Sequence, residues 1–91
     1  MKVTKRLKVL GQVQGVGYRY AAYYAANNNG VTGWVRNCRD GSVEAVVQGE
    51  PEAVQEFITW AKKGPGLARV DNVDVTEASG DFSQFEIRDT A

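Results

Sequence analysis

The sequence has no histidine, a single cysteine (Cys38) and no methionine after Met1. One cysteine excludes an internal disulfide, and it fits a reducing compartment, so we expect a cytoplasmic protein. Zinc and copper sites are built mainly from clustered histidine and cysteine side chains. The composition therefore argues against a zinc or copper site, and we expect no bound metal.

Long apolar segments are also absent. No stretch approaches the roughly 18 consecutive apolar residues of a membrane-spanning helix. The start, MKVTKRLKVLG, is basic but lacks the apolar run of a secretory signal peptide. These two absences predict a protein without a membrane segment.

Charge of neither sign predominates, because eleven basic residues balance eleven acidic ones. Nucleic-acid binders draw much of their affinity from neutralising phosphates, so this balance argues against such a partner. It leaves room for one local cationic pocket. The 91 residues suit one domain, 1–91, and no linker or low-complexity tract divides them.

Hydrophobic periodicity predicts five strands and two helices. In the first strand, for example, Leu7, Val9 and Val13 share one face, as period two requires. The first helix ends in three asparagines, which weaken it, and Gly30 stops it. The predicted elements are strands over 5–13, 31–38, 42–49 and 69–76, a short strand containing Phe85 and Ile87, and helices over 18–29 and 51–63.

The order of these elements is β-α-β-β-α-β-β. A split β-α-β arrangement predicts a ferredoxin-like α+β fold, a two-layer sandwich. We expect an antiparallel sheet with both helices on one face. RNA-recognition domains share this topology, but they stack bases on aromatic residues of the central strands. The segments RLKVLGQ and SVEAVVQG carry no aromatic residue.

The stretch GQVQGVGYRY, 11–20, joins the first strand to the first helix. Glycines permit positive φ, and the first amides of a helix have no partners within it, so such a turn can bind an anion. Arg19 adds a charged fork suited to two phosphate oxygens. The spacing G-x-x-x-G-x-G matches neither GxGxxG nor a Walker loop. Local chemistry alone leaves open a purely structural turn with a solvated arginine.

A second stretch, TGWVRNCRDG, 32–41, places Asn37 at the end of a strand and just before a turn. By itself, an asparagine at this position is explained by a common structural role, which is to start a hairpin loop. Trp34 is expected to be a packing residue. Cys38 is expected to be a small, half-buried filler, because no histidine can activate it.

Together, the two stretches closely resemble the acylphosphatase family. Residues 11–19, GQVQGVGYR, match its first motif, and residues 33–37, GWVRN, match its second. The resemblance continues through KKGPGLARVDNVDV and FSQFEIR to cover essentially the whole chain. The ending NNNG of the first helix departs from the family pattern, but it lies away from both motifs.

The resemblance implies an enzyme that hydrolyses acyl phosphates to a carboxylate and inorganic phosphate, without a cofactor. It assigns the phosphoryl group to the loop amides and arginine of the first motif, and the attacking water to the asparagine of the second. It also implies a small-molecule substrate. We expect no nucleic-acid or membrane partner, and a monomer. The alternative is a catalytically silent relative that binds phosphate or acyl phosphates. The implied residues are Gln14, Gly15, Val16, Gly17, Tyr18 and Arg19 for substrate binding, with Arg19 and Asn37 catalytic.

Overall fold

The seven predicted elements occur in the predicted order in a computed structural model that describes residues 1–91. Neither helix combines the length and apolar character that crossing a bilayer requires. The elements are β1 (Val3–Gln12), α1 (Tyr18–Asn29), β2 (Thr32–Asn37), β3 (Val43–Gly49), α2 (Pro51–Lys63), β4 (Arg69–Glu77) and β5 (Phe85–Ile87).

The five strands form one sheet in the order β4-β1-β3-β2-β5. The pairs β1–β3, β1–β4 and β2–β3 are antiparallel, as predicted. The fifth strand departs from the antiparallel expectation, since β5 pairs with β2 in parallel. The reason is the connection. β4 finishes at the end of the sheet where β1 and β2 begin, and residues 78–84 cross that end to the opposite edge, so β5 runs alongside β2 in the same direction.

The strand directions place the turn after β1 and the end of β2 at the same end of the sheet. Val43 on β3 pairs with Val9 near the end of β1 and also with Asn37 at the end of β2. Because β1 and β2 run in the same direction on either side of β3, both finish at this end of the sheet. The turn into α1 and the end of β2 are therefore neighbours, although they are far apart in sequence.

The hydrophobic core lies between the sheet and both helices, which confirms the two-layer fold. Alternating residues of β1 and β3 point into it, and α2 contributes the predicted stripe at helical spacing. From α1, Ala22 and Ala26 are fully buried, and their small side chains let the helix lie close to the sheet. Other members of the core are Leu7, Val9, Val43, Ala45, Val47, Val54, Phe57, Ile58 and Ala61.

The end of α1 is well formed, because the helix continues through the three asparagines. Gly30 adopts the left-handed conformation, with φ 69°, and its amide donates back into the last turn of the helix. The amide of Val31 donates to the carbonyl of Ala26 at 2.9 Å. These bonds satisfy carbonyls that the end of a helix otherwise leaves unpaired.

The other face of the sheet is polar and has no helix on it. Trp34 is only 8% exposed, because the guanidinium groups of Arg36 and Arg88 lie 4.7 and 4.9 Å from its ring. Its predicted packing role is confirmed.

Burial opposes the ionisation of Glu44 on the same face, but hydrogen bonds from Arg36 and Arg6 outweigh this and hold its pKa below the usual value. The charges of this face are thus largely paired with one another.

Candidate active site

A small cavity lies where the turn into α1 meets the end of β2. Its volume is about 160 Å³, well below the roughly 300–1,000 Å³ of pockets for larger ligands. A compact group such as a phosphoryl fits that space, whereas a nucleotide does not. The residues that line the cavity are Val13, Gly15, Gly17, Tyr18, Arg19, Tyr20 and Asn37.

The turn presents a row of free backbone amides. Gly15 and Gly17 have φ of 74° and 79°, the left-handed region that favours glycine. The first hydrogen bond of α1 runs from the Ala21 amide to the Gly17 carbonyl at 3.0 Å, and the amides from Gln14 to Tyr20 have no backbone acceptor. The first turn of α1 contains no acidic residue. Free donors at the positive end of the helix dipole form an anion site.

Arg19 lines the cavity with an uncommitted guanidinium. Its side chain pairs with no carboxylate, whereas Arg6, Arg36, Arg69 and Arg88 each take part in an ion pair. The residue is half-buried, so its charge is only partly screened by solvent. The fork of Arg19 is consequently available to a bound anion.

Asn37 contributes the one buried side-chain oxygen or nitrogen atom that lacks a hydrogen-bond partner, its Oδ1. Buried polar atoms are almost always hydrogen-bonded, so each exception calls for an explanation. Asn37 also lines the cavity, so this unsatisfied acceptor belongs to a residue of the cavity wall.

The side chains of three predicted substrate-binding residues are held by contacts within the protein. Gln14 donates from Nε2 to the carbonyls of Cys38 and Ser42, at 2.7 and 2.8 Å. Val16 packs against the core, and Tyr18 inserts between the helices, with its ring 5.2 Å from that of Trp60. Gln14 and Val16 do not line the cavity, whereas Tyr18 does, and the backbone amides of all three remain without a backbone acceptor. Tyr20 was not among the predicted residues, although it lines the cavity; its place beside Arg19 was the only signal.

The hairpin after Asn37 is held by its own polar groups. Asp40 accepts hydrogen bonds from the hydroxyl and the amide of Ser42, and these hold the pKa of its carboxyl well below the usual range. Lys8 pairs with the same carboxylate at 3.0 Å. Cys38 is half-buried, as expected, and its amide donates to the Ser42 carbonyl at 2.8 Å. The end of β2 is thus fixed by backbone and turn contacts.

A larger groove, of about 520 Å³, runs between α1 and α2 on the far side of the helices from the sheet. Surface residues of the two helices line it, among them Tyr24, Asn28, Trp60 and Lys63. Its two charged residues, Glu56 and Lys63, have opposite signs, so the groove offers an anion no net positive charge, and no free helix-start amides border it. The smaller cavity at the turn is the better candidate for phosphoryl chemistry.

Tyr18→Phe separates the structural role of this tyrosine from catalysis. The phenol donates to the Ala61 carbonyl at 2.8 Å, near the end of α2, where Pro65 has no amide to offer. Burial raises the pKa of Tyr18, so the phenol stays protonated. We expect the change to reduce the free energy of unfolding by about 1–3 kcal/mol, because a buried carbonyl loses its donor. Urea denaturation measures this loss, and kcat/KM should stay unchanged; a large fall in kcat/KM would contradict the purely structural role.

Gly17→Ala tests the left-handed turn. A Cβ at this position meets no atom within 4 Å, so the cost comes from backbone strain alone. An L-residue in this conformation loses about 1–2 kcal/mol. Gly66→Ala is the matched control, because Gly66 has the same open space but no positive φ. Urea midpoints should fall for Gly17→Ala and hold or rise for Gly66→Ala; equal midpoints would argue against strain.

The structure thus defines a small ferredoxin-like α+β protein with a candidate anion site that is too small for a nucleotide and is bordered by free backbone amides and an arginine. Comparison with known proteins makes this more specific. Residues 5–87 match the Acylphosphatase family model. The chain is 53% identical over 85 residues to an acylphosphatase of Thiobacillus denitrificans, with 93% of this chain and 96% of that protein covered.

Solved structures agree. An acylphosphatase from Coxiella burnetii has a TM-score of 0.92 and 35% identity, covering 96% of this chain and 93% of its own. One from Bacillus subtilis has a TM-score of 0.90 and 36% identity, covering 97% and 99%. The chain therefore belongs to the acylphosphatase family, and it is an enzyme that hydrolyses acyl phosphates. A catalytically silent binding module is not favoured.

Proposed function

We propose that residues 1–91 act as one domain that holds the phosphoryl group of an acyl phosphate in the cradle formed by Gln14–Arg19. A water positioned by Asn37 then attacks the phosphorus directly. The observation that carries this proposal is a convergence on one cavity. The residues that border it carry free backbone amides, an unpaired guanidinium and a buried acceptor without a partner, and an acyl phosphate with its attacking water would supply those partners.

The leaving group explains how such a simple site can suffice. A carboxylic acid has a pKa of roughly 4, so a carboxylate departs at neutral pH without being protonated. No general acid is then needed, which is consistent with a chain that has no histidine. Phosphoryl transfer depends chiefly on positioning and on stabilising the charge of the equatorial oxygens. Preorganised amides and Arg19 supply both.

The attacking water is positioned rather than deprotonated by the enzyme. Asn37 is a poor base, but its Oδ1 can accept a hydrogen bond and so aim the water along the line of attack. The proton passes to a phosphoryl oxygen. We propose that no covalent intermediate forms. The residues lining the cavity include no serine, threonine, cysteine, histidine, lysine or carboxylate, and the hydroxyl of Tyr18 is bonded to the Ala61 carbonyl. The hydroxyl of Tyr20 is free, but the lining offers no base to activate it as a nucleophile.

The proposed substrate is a small acyl phosphate, and inorganic phosphate is both product and inhibitor. The cavity holds little beyond the phosphoryl group, with Tyr20, 64% exposed, as its remaining neighbour. We expect the acyl portion to extend into solvent, which implies broad tolerance. We also propose that the enzyme works in the cytoplasm as a monomer, without nucleic-acid or membrane partners.

The test uses benzoyl phosphate in the presence of a chelator. We expect hydrolysis at the same rate with and without the chelator, competitive inhibition by inorganic phosphate, and no turnover of a phosphate monoester. The monoester fails because an alkoxide leaving group needs the proton that this site cannot provide. Loss of activity in the chelator, or equal turnover of the monoester, would overturn the mechanism.

A further inference from the structure

We propose that Gln14 is a positioning residue that holds the phosphoryl cradle at a set distance from the water-orienting Asn37. This inference rests on the proposed function, and it assigns to the Gln14 side chain a task distinct from substrate contact. The glutamine would act through the two segments that it joins. It would not touch the reacting atoms itself.

The contacts of Gln14 span the two halves of the site. Its Nε2 donates to the Cys38 carbonyl at 2.7 Å and to the Ser42 carbonyl at 2.8 Å. Cys38 directly follows Asn37, and the Ser42 carbonyl also accepts from the Cys38 amide at 2.8 Å. One side-chain nitrogen is thereby bonded to both sides of the hairpin mouth at the end of β2.

The arrangement fixes the orientation of the Gln14 amide. Both of its partners are carbonyl oxygens, which only accept, so nitrogen rather than oxygen must face them. Both hydrogens of the NH₂ group are then in use. A side chain that carries no donor, or that is shorter, cannot make the same bridge.

Gln14 stands at the start of the turn, immediately before the left-handed Gly15. Among the side chains from Gln14 to Arg19, it is the one that hydrogen-bonds to the β2–β3 hairpin. The cradle and Asn37 belong to different segments, so their separation depends on contacts such as this one. A displacement of about 1 Å between reacting groups can lower a rate by roughly a hundredfold.

Gln48 provides a matched control at the opposite end of the sheet. Its Nε2 also donates twice, to the Thr4 hydroxyl at 2.9 Å and to the Gly80 carbonyl at 2.6 Å. It is 5% exposed and therefore more buried than Gln14. Gln48→Met removes these two donated hydrogen bonds, and one that Oε1 accepts from the Phe82 amide at 3.3 Å, without touching the cavity. It therefore reports a structural cost at least as large as that of losing two donated bonds.

The experiment compares Gln14→Met with Gln48→Met, using benzoyl phosphate turnover, inhibition by inorganic phosphate and urea denaturation. For Gln14→Met we expect kcat to fall about tenfold or more, while phosphate inhibition changes little because the cradle amides and Arg19 remain. Gln48→Met should lose stability at least as much and keep its kcat. Gln14→Asn, which keeps the amide on a side chain too short to bridge, should repeat the loss of kcat and serves if Gln14→Met does not fold.

Two results are decisive. If kcat of the Gln14 variants matches that of Gln48→Met, the positioning role is wrong, even though the proposed function stands. If phosphate inhibition weakens as much as kcat falls, Gln14 serves phosphate binding and the inference is also overturned. Failure of the unmodified enzyme to hydrolyse benzoyl phosphate would instead contradict the proposed function itself.

Discussion

We expect Arg19→Ala to lower kcat/KM for benzoyl phosphate by at least about a hundredfold, corresponding to roughly 2.7–4 kcal/mol of lost transition-state stabilisation. The reason is that Arg19 is the one charged side chain lining the cavity. Charge on the equatorial oxygens must be met at the moment of transfer, and the amides carry only partial charges. Phosphate inhibition should weaken in parallel, because the ground state also contacts the fork.

Arg19→Lys should recover little of this loss, although it restores the positive charge. A lysine offers a single point of charge, whereas two phosphoryl oxygens call for the planar fork of arginine. Arg39→Ala is the matched control, since Arg39 is exposed, forms no ion pair and does not line the cavity. Near-normal kcat/KM in Arg19→Ala, or an equal loss in Arg39→Ala, would show that the guanidinium of Arg19 is not the phosphoryl ligand.

Asn37→Ala should have the second-largest effect, and of a different kind. We expect kcat to fall on the order of a hundredfold, since an unaligned water must be recruited for each turnover. Inorganic phosphate should inhibit nearly as well as before, because the cradle and Arg19 are untouched. Stability should also be retained, since Oδ1 of Asn37 accepts no hydrogen bond from the protein.

Asn37→Asp sharpens this comparison. The carboxylate keeps an acceptor of the same shape but places a negative charge beside the phosphoryl site. We expect both kcat and phosphate inhibition to suffer in this variant, whereas Asn37→Ala loses kcat alone. If Asn37→Ala turns over substrate at nearly the normal rate, this residue does not orient the water.

Much of the fold could be read from the sequence, because each element carries its own pattern. The stripe Val54, Phe57, Ile58 and Ala61 identified α2, and all four side chains are buried. The direction of β5 could not be read in this way. Phe85 and Ile87 indicate a strand with one buried face, but that periodicity is the same in parallel and antiparallel pairs. The direction of β5 is decided by the end of the sheet at which the connection from β4 delivers the chain.

In the candidate site, too, local features could be predicted from the sequence and long-range contacts could not. That Gly15, Gly17 and Arg19 border one cavity could be anticipated, because a glycine turn at the start of a helix leaves backbone amides free for an anion. The hydrogen-bond partners of the Gln14 and Tyr18 side chains could not be predicted, because they are distant in sequence. Ser42 lies 28 residues from Gln14, and Ala61 lies 43 residues from Tyr18. No local pattern encodes such a contact, which depends on how the layers pack.

The central claim is that the amides of the turn and Arg19 grip a phosphoryl group beside Asn37. Titration of ¹⁵N-labelled protein with inorganic phosphate, followed by amide chemical shifts, tests it most directly. The account predicts the largest shifts at the backbone amides from Gln14 to Tyr20, together with the side-chain amide of Asn37. Shifts centred on the groove between α1 and α2, or no saturable shifts at the turn, would contradict it.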